Sequence, residues 1–286
     1  MENYSDIDFQ NCKICPKECQ KDRIKEKGLC GASGEIKIAS WNLHRGEEPS
    51  VSGTRGSGTI FFSHCSLQCS FCQNYPISHL GNGTRFTKDE VKNIMLKLQE
   101  MGAHNINLVT PTHYSKQIID ILKNIKSEKL KIPIIYNCGG YEKVKTLKKL
   151  EGLIDIYMPD AKFGTNKLSS KICGVKNYFK INKKALKEMQ RQVGGFTMDD
   201  EGVAQRGLLI RHLVLPGYLS NSREVLKFLA RDFKNNFYLS LMAQYHPAYK
   251  TVGDKKLGRR LTEEEYKSIV SYSKELGLTD GYFQTI

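Results

Sequence analysis

The sequence predicts an α/β fold, a partial (β/α)6 TIM-like barrel with a small N-terminal metal-binding extension. Three observations predict it. Six short apolar runs alternate with amphipathic stretches of helical period. The residues directly after each apolar run are polar, glycine-containing or thiol-bearing. The first 30 residues carry four cysteines but little apolar periodicity. Alternating β and α units imply a parallel sheet with right-handed crossovers. The chain from Thr59 onward falls short of the ~250 residues of a closed eight-stranded barrel, so six units are the economical choice.

The element-by-element reading begins with residues 1–45, an N-terminal segment that cannot bury much core alone and needs a metal to fold. Residues 46–58, rich in Gly, Ser, Thr and Pro, read as a linker loop, and 59–286 as the barrel. The strand candidates are 59–63, 106–109, 132–136, 154–158, 208–214 and 237–241. The helix candidates are 87–101, 115–127, 142–150, 178–193, 222–233 and 262–276. The first and last open with a Thr-x-x-Glu capping box, Thr87 with Glu90 and Thr262 with Glu265. The acidic, glycine-containing stretch 194–206 reads as a hairpin. In such folds chemistry sits at the C-terminal strand ends, which selects 64–72, 110–113, 137–140, 159–162, 215–217 and 245–246.

Composition narrows the class. The chain has 286 residues, 40% of them hydrophobic and 26% charged, which excludes a fibre or a disordered tail. No apolar run approaches the ~20 residues of a membrane span, and the N-terminus lacks the basic and apolar regions of a signal peptide. A cytoplasmic protein with no membrane association is therefore expected. In that compartment nine cysteines, odd in number and clustered, speak for metal ligation over disulfides. The net charge of +14 is concentrated between Lys116 and Arg191, with 18 Lys and Arg against 7 Asp and Glu. Such a stretch can attract nucleic acid, but without aromatic interleaving or an RNA-binding module it reads better as solvated helix faces.

The chemistry concentrates after the first strand, in Cys65-x3-Cys69-x2-Cys72. Thiolates are soft ligands, and three from one loop can hold three irons of a [4Fe–4S] cluster. Without a fourth cysteine one iron keeps open positions, the mark of a catalytic metal. A zinc site completed by His64, Cys138 or Cys173 is the alternative. Cys138, at a strand end, can face the site, whereas Cys173 reads as a bland half-buried thiol. The extension offers Cys12-x2-Cys15-x3-Cys19-x10-Cys30, enough for a zinc tetrahedron or a second Fe–S cluster.

The triplet, with Phe71 just before its last cysteine, resembles the radical S-adenosylmethionine superfamily. That resemblance implies that S-adenosylmethionine chelates the open iron and is split by one electron to methionine and a 5′-deoxyadenosyl radical. The match narrows towards the activating enzymes of glycyl-radical proteins, pyruvate formate-lyase activase and its relatives. Ile154-Asp155-Ile156-Tyr157-Met158-Pro159-Asp160-Ala161-Lys162 is similar to their strand ending in Met-x-Asp-x-Lys. Leu209 to Gly217 is similar to their Arg-bearing strand that ends in Pro-Gly, and Gln244-Tyr245-His246 to the Tyr-His after the last strand. These motifs span Thr59 to about Tyr249 in the right order. The resemblance implies catalytic roles for Cys65, Cys69 and Cys72, places Arg211 and His246 near S-adenosylmethionine and Phe71 against its adenine. It puts Met158 and Asp160 at a monovalent cation site, with Lys162 beside it. It further implies a glycyl-radical or other protein substrate, and reduced flavodoxin or ferredoxin as electron donor. Two departures stand out: Thr110-Pro111-Thr112-His113 replaces a Gly-Gly-Glu that grips the amino group, and Asn137 replaces an acidic residue. The hydroxyls of Thr110 and Thr112 and the amide carbonyl of Asn137 can accept the same hydrogen bonds. The four-cysteine extension resembles that of a less characterised branch of these enzymes.

Overall fold

The computed structural model describes residues 9–125, 129–234 and 236–285. In chain order the elements begin with β1 (Ile36–His44), α1 (Pro49–Ser52), β2 (Ser57–Phe62), α2 (Tyr75–Ser78), β3 (Thr84–Phe86), α3 (Lys88–Glu100), β4 (Ile106–Val109) and α4 (Ser115–Ile125). They continue with β5 (Ile134–Cys138), α5 (Val144–Lys148), β6 (Ile156–Pro159), α6 (Asn166–Cys173), α7 (Tyr178–Val193), β7 (Thr197–Met198) and β8 (Ala204–Leu213). The last are α8 (Leu219–Phe233), β9 (Tyr238–Met242), α9 (Glu263–Glu275) and β10 (Gly281–Phe283). The expected end of the helix 115–127 lies outside the described residues.

The strands form one open sheet in the order β10-β9-β8-β6-β5-β4-β2-β1-β3. The run from β10 to β2 is parallel throughout, as the alternating pattern requires. The six expected strands are all present, as a partial barrel. The structure adds elements that the sequence pattern hides. β10 pairs with β9 as a seventh parallel strand, too short at three residues to show a period. β1 pairs antiparallel with β2 and β3, so residues 36–44 of the N-terminal segment belong to the barrel sheet. Only its first turns alternate in burial, with Ile36 and Ile38 inside. The stretch 46–58 holds α1 and the start of β2. Residues 194–206 do form a hairpin, β7 against β8.

The central strands β5 and β6 are buried at every position because the barrel interior covers one face and helices the other. Both expected capping boxes form: the Glu90 and Glu265 amides donate to Thr87 and Thr262 Oγ1, both at 3.2 Å, each cap stabilising its helix by about 1 kcal/mol. The N-terminal segment is docked on the barrel. Ile14 and Ala32 enter the main core, Thr146 Oγ1 donates to Ile14 O at 2.6 Å and Lys143 pairs with Glu18 at 2.6 Å.

His212 ties the barrel wall to its helices. Its Nδ1 lies 2.6 Å from Ala161 O and its Nε2 2.8 Å from Ser222 Oγ, an arrangement that a neutral ring satisfies by donating to the carbonyl and accepting from the hydroxyl. Burial pulls its pKa down to about 4. In the unfolded chain the ring protonates below about 6.5, while the folded ring stays neutral. The stability present above pH 6.5 is therefore lost as pH falls towards 4, at a rate approaching about 1.4 kcal/mol per pH unit. Urea midpoints measured between pH 7 and 4 should fall in the wild type and fall less steeply in His212→Gln.

Candidate active site

The loop after β2 carries the cysteine triplet onto the wall of a cavity at the C-terminal ends of the strands. Cys65, Cys69 and Cys72 line this cavity with Phe71, Thr110, Asn137, Cys138, Asp160, Lys162 and Arg211. The loop is tightly wound: His64 and Gln68 both adopt left-handed φ, +72° and +55°, a conformation costly for side-chain-bearing residues and common at functional sites. Burial pushes the Cys65 thiol up to about 12 and raises that of Cys72, whose sulfur lies 3.1 Å from Ser78 Oγ. Unligated, these thiols are neutral. A bound metal would deprotonate them.

The same cavity is lined by a buried charge cluster. Lys162 Nζ lies 2.5 Å from Asp160 Oδ2, and Arg211 Nε 3.4 Å from Asp160 Oδ1. Arg211 also pairs with Glu47 at 3.1 Å and donates to Asn137 Oδ1 at 2.8 Å. Burial works against the Asp160 charge, but the two neighbouring cations hold its carboxyl below the usual range and Asp160 raises both cations. Burial raises Glu47 despite Arg211. The cluster places two cations and a positioned carboxylate along a cavity that also holds three soft donors, an arrangement suited to an anionic group bound beside a metal cluster.

The strand ends are held in place from behind. The Tyr178 hydroxyl accepts from Lys162 N at 3.0 Å and lies 2.8 Å from Gly139 O. One turn along α7, Asn182 Nδ2 donates to Gly140 O and Asp160 O at 2.9 and 3.0 Å. Gly140 sits at φ +70°, and a Cβ there would strike Asp160 O, so only glycine lets the two strand ends meet. Glu47, Tyr178 and Asn182 escaped sequence reasoning. Glu47 lies in a loop without period, and the i, i+4 spacing of Tyr178 and Asn182 marks an inner helix face without showing what it touches.

Among the residues expected at the cofactor, Phe71, Thr110, Asn137, Asp160, Lys162 and Arg211 come together around the cavity. The other three do not line it. A 3-10 turn rotates Thr112 inward, where its hydroxyl donates to Glu142 Oε1 at 2.6 Å. Met158 packs with Ile135, Ile156 and Leu209 deeper in the barrel. His246 is exposed just past Tyr245, and it is the Tyr245 ring that turns inward, edge-on to Phe71. Cys173 is half-buried, and α6 carries its sulfur to 3.2 Å from Cys69 Sγ, which, with burial, drives the Cys69 thiol well up. Among the described residues no three His, Cys, Asp or Glu side chains converge on a point for a single metal ion, an arrangement a cube with one thiol per iron does not require. The surplus lysines, including Lys123, Lys145, Lys180 and Lys187, lie on exposed helix faces, and no described helix is long and apolar enough to cross a membrane.

Comparison with known proteins adds the following. Residues 59–199 match the model of the radical SAM superfamily. An uncharacterised protein of Methanocaldococcus jannaschii is 31% identical over 280 residues, 94% of this chain and 76% of the relative. A radical SAM methyltransferase from Sphaerobacter thermophilus shares the fold, with a TM-score of 0.54, 15% identity, and coverage of 80% of this chain and 66% of that one. Streptococcus suis SuiB bound to its precursor peptide SuiA shares it at 0.52 and 15% identity, over 77% of this chain and 46% of that one. A domain of a pyruvate-formate lyase-activating enzyme from Bacteroides vulgatus reaches a TM-score of 0.43 at 15% identity, over 60% of this chain and 92% of that one.

Replacing Asp160 by Asn should leave Lys162 and Arg211 buried without their shared counter-charge and cost about 3–5 kcal/mol. Chemical denaturation of the two proteins at pH 7 checks this, and an unchanged midpoint would show that the cluster is not a coupled unit.

Proposed function

The chain belongs to the radical SAM superfamily, and from that premise we propose that it cleaves S-adenosylmethionine reductively to act on a protein or peptide partner, in the manner of glycyl-radical-enzyme activases. The observation that carries the reading is the lining of one cavity by both the cysteine triplet and the Asp160–Lys162–Arg211 cluster. The donor set fits the family's cofactor, three soft thiols on one loop at the mouth of a barrel. Cys65, Cys69 and Cys72 would hold the [4Fe–4S] cluster, which when bound would supply the one-electron reduction that S-adenosylmethionine cleavage needs.

The chain's own residues bind and orient. Lys162 and Arg211 offer positive charge to the methionine carboxylate, and Asp160 fixes both cations so that no mobile water is needed in that role. Asn137, already bound to Arg211 through Oδ1, holds the guanidinium at its angle. The Thr110 hydroxyl supplies an acceptor for the amino group where the resembled activases carry a glutamate. Phe71, braced edge-on by Phe163 and Tyr245, offers a flat apolar face to the adenine. Leu67, Leu213 and Met242 line the remaining walls and keep water from a reactive radical.

A protein or peptide partner is supported by the motif set resembling activases and by a cavity open at the strand ends. The competing reading, a closed electron-transfer centre, draws on the 3.2 Å approach of Cys173 to Cys69, which would make Cys173 the fourth ligand. One experiment separates them. Anaerobically reconstituted protein, given S-adenosylmethionine and dithionite, should form 5′-deoxyadenosine in the wild type and in Cys173→Ala, and none in Cys65/Cys69/Cys72→Ala. Loss of iron on removing Cys173, with no product from the wild type, would favour the closed centre.

A further inference from the structure

The four cysteines ahead of the barrel are a second set of thiols that the catalytic reading does not use. Cys12, Cys15 and Cys30 are buried and Cys19 half-buried, and Cys12 is an electrostatic neighbour of the other three. The chain wraps to bring them together: the Cys12 amide donates to Lys21 O at 3.1 Å and the Gln20 amide to Cys12 O at 3.0 Å, with Glu18 and Gln20 at left-handed φ of +40° and +55°.

Beside Cys12 lies Arg23, only 1% exposed. Its Nη1 donates to His113 O at 2.7 Å and lies 3.8 Å from Cys12 Sγ, its Nη2 donates to Ser33 O at 2.5 Å, and its Nε is buried without a hydrogen-bond partner. Among the described residues no carboxylate pairs with it. A buried guanidinium without a counter-charge is costly, and an uncharged thiol provides none. Four thiolates around a metal centre do, because such a centre keeps a net negative charge.

The extension also touches the loop of the catalytic triplet. Gly31, next to Cys30, has φ +88°, and a Cβ there would lie 2.8 Å from His64 Nδ1. The His64 ring thus rests on the Gly31 backbone, and His64 directly precedes Cys65. A second bridge runs from Arg23 through His113, whose Nε2 lies 2.7 Å from Ser63 O. A ligand of one centre and a ligand of the other are therefore separated by two residues in van der Waals contact.

From this juxtaposition we infer that Cys12, Cys15, Cys19 and Cys30 hold a second [4Fe–4S] cluster that passes electrons to the catalytic one through Gly31 and His64. The inference rests on the triplet reading above. A low-potential one-electron donor protein of the flavodoxin or ferredoxin class is oxidised by one electron and takes the second cluster from the 2+ to the 1+ state. That electron then reduces the catalytic cluster from 2+ to 1+, and the second cluster returns to 2+. No proton or bond is exchanged.

The test uses the full chain, reconstituted anaerobically with iron and sulfide and kept free of S-adenosylmethionine. Iron analysis should give about eight irons in the wild type and about four in either Cys12/Cys15/Cys19/Cys30→Ala or Cys65/Cys69/Cys72→Ala. The electron paramagnetic resonance spectrum of the fully reduced wild type should be broadened by coupling between neighbouring clusters, and so differ from the sum of the two variant spectra. Stopped-flow reduction by reduced flavodoxin should lose its fast phase in the first variant. Zinc in the extension, or a spectrum equal to the sum with an unchanged reduction rate, overturns the inference. Should the first variant not fold, metal content and spectral coupling of the wild type decide the matter alone. A chain that fails to cleave S-adenosylmethionine can still pass this test, so the two readings fail separately.

Discussion

Asp160 sits between Lys162 and Arg211 at the meeting point of three strand ends, and the geometry of the cavity depends on that ion cluster. A carboxylate, an ammonium and a guanidinium removed from water are each unfavourable alone, so they fix one another. The backbone repeats the constraint, with the Asp160 amide donating to Cys138 O and the Ala161 amide to Arg211 O, at 2.9 and 2.8 Å. Tyr178 and Asn182 close the arrangement from α7. Because Arg211 also reaches Glu47 and Asn137, the cluster extends across the barrel interior. The triplet loop shares its cavity with a wall that is preorganised before any ligand arrives, the condition under which charge stabilisation is most effective.

Much of this was legible from residue order. The parallel strands announced themselves as buried apolar runs ending in polar residues, and the capping boxes marked the helices α3 and α9. The thiol spacing, with Phe71 inside it, pointed to the cavity wall. What the sequence hid was pairing in space. Glu47 enters the barrel from a loop, and Cys173 lies 104 residues from the thiol it approaches. Thr112 and Thr110 are two positions apart, yet a left-handed Thr110 at φ +59° and the following 3-10 turn send them to different surroundings. His246 and Tyr245 differ in the same way, since side chains just past a strand alternate in direction.

The N-terminal extension is integrated with the barrel. Gln117 and Thr146 pin its backbone to α4 and α5, and its Arg23 side chain donates to His113 O in the loop after β4. A segment of so little core, carrying a fully buried Arg23, owes its shape to its contacts with the barrel. This docking brings the extension against the triplet loop at Gly31 and His64.

The central claim is that the triplet leaves one metal position open for S-adenosylmethionine and that the charge cluster receives it. The most direct test is the electron paramagnetic resonance spectrum of the reduced, reconstituted protein, recorded before and after adding S-adenosylmethionine, for the wild type and for Arg211→Gln. The account predicts a clear change of the wild-type signal on addition, and a change in the variant only at higher concentration. A wild-type signal that is indifferent to S-adenosylmethionine would contradict it.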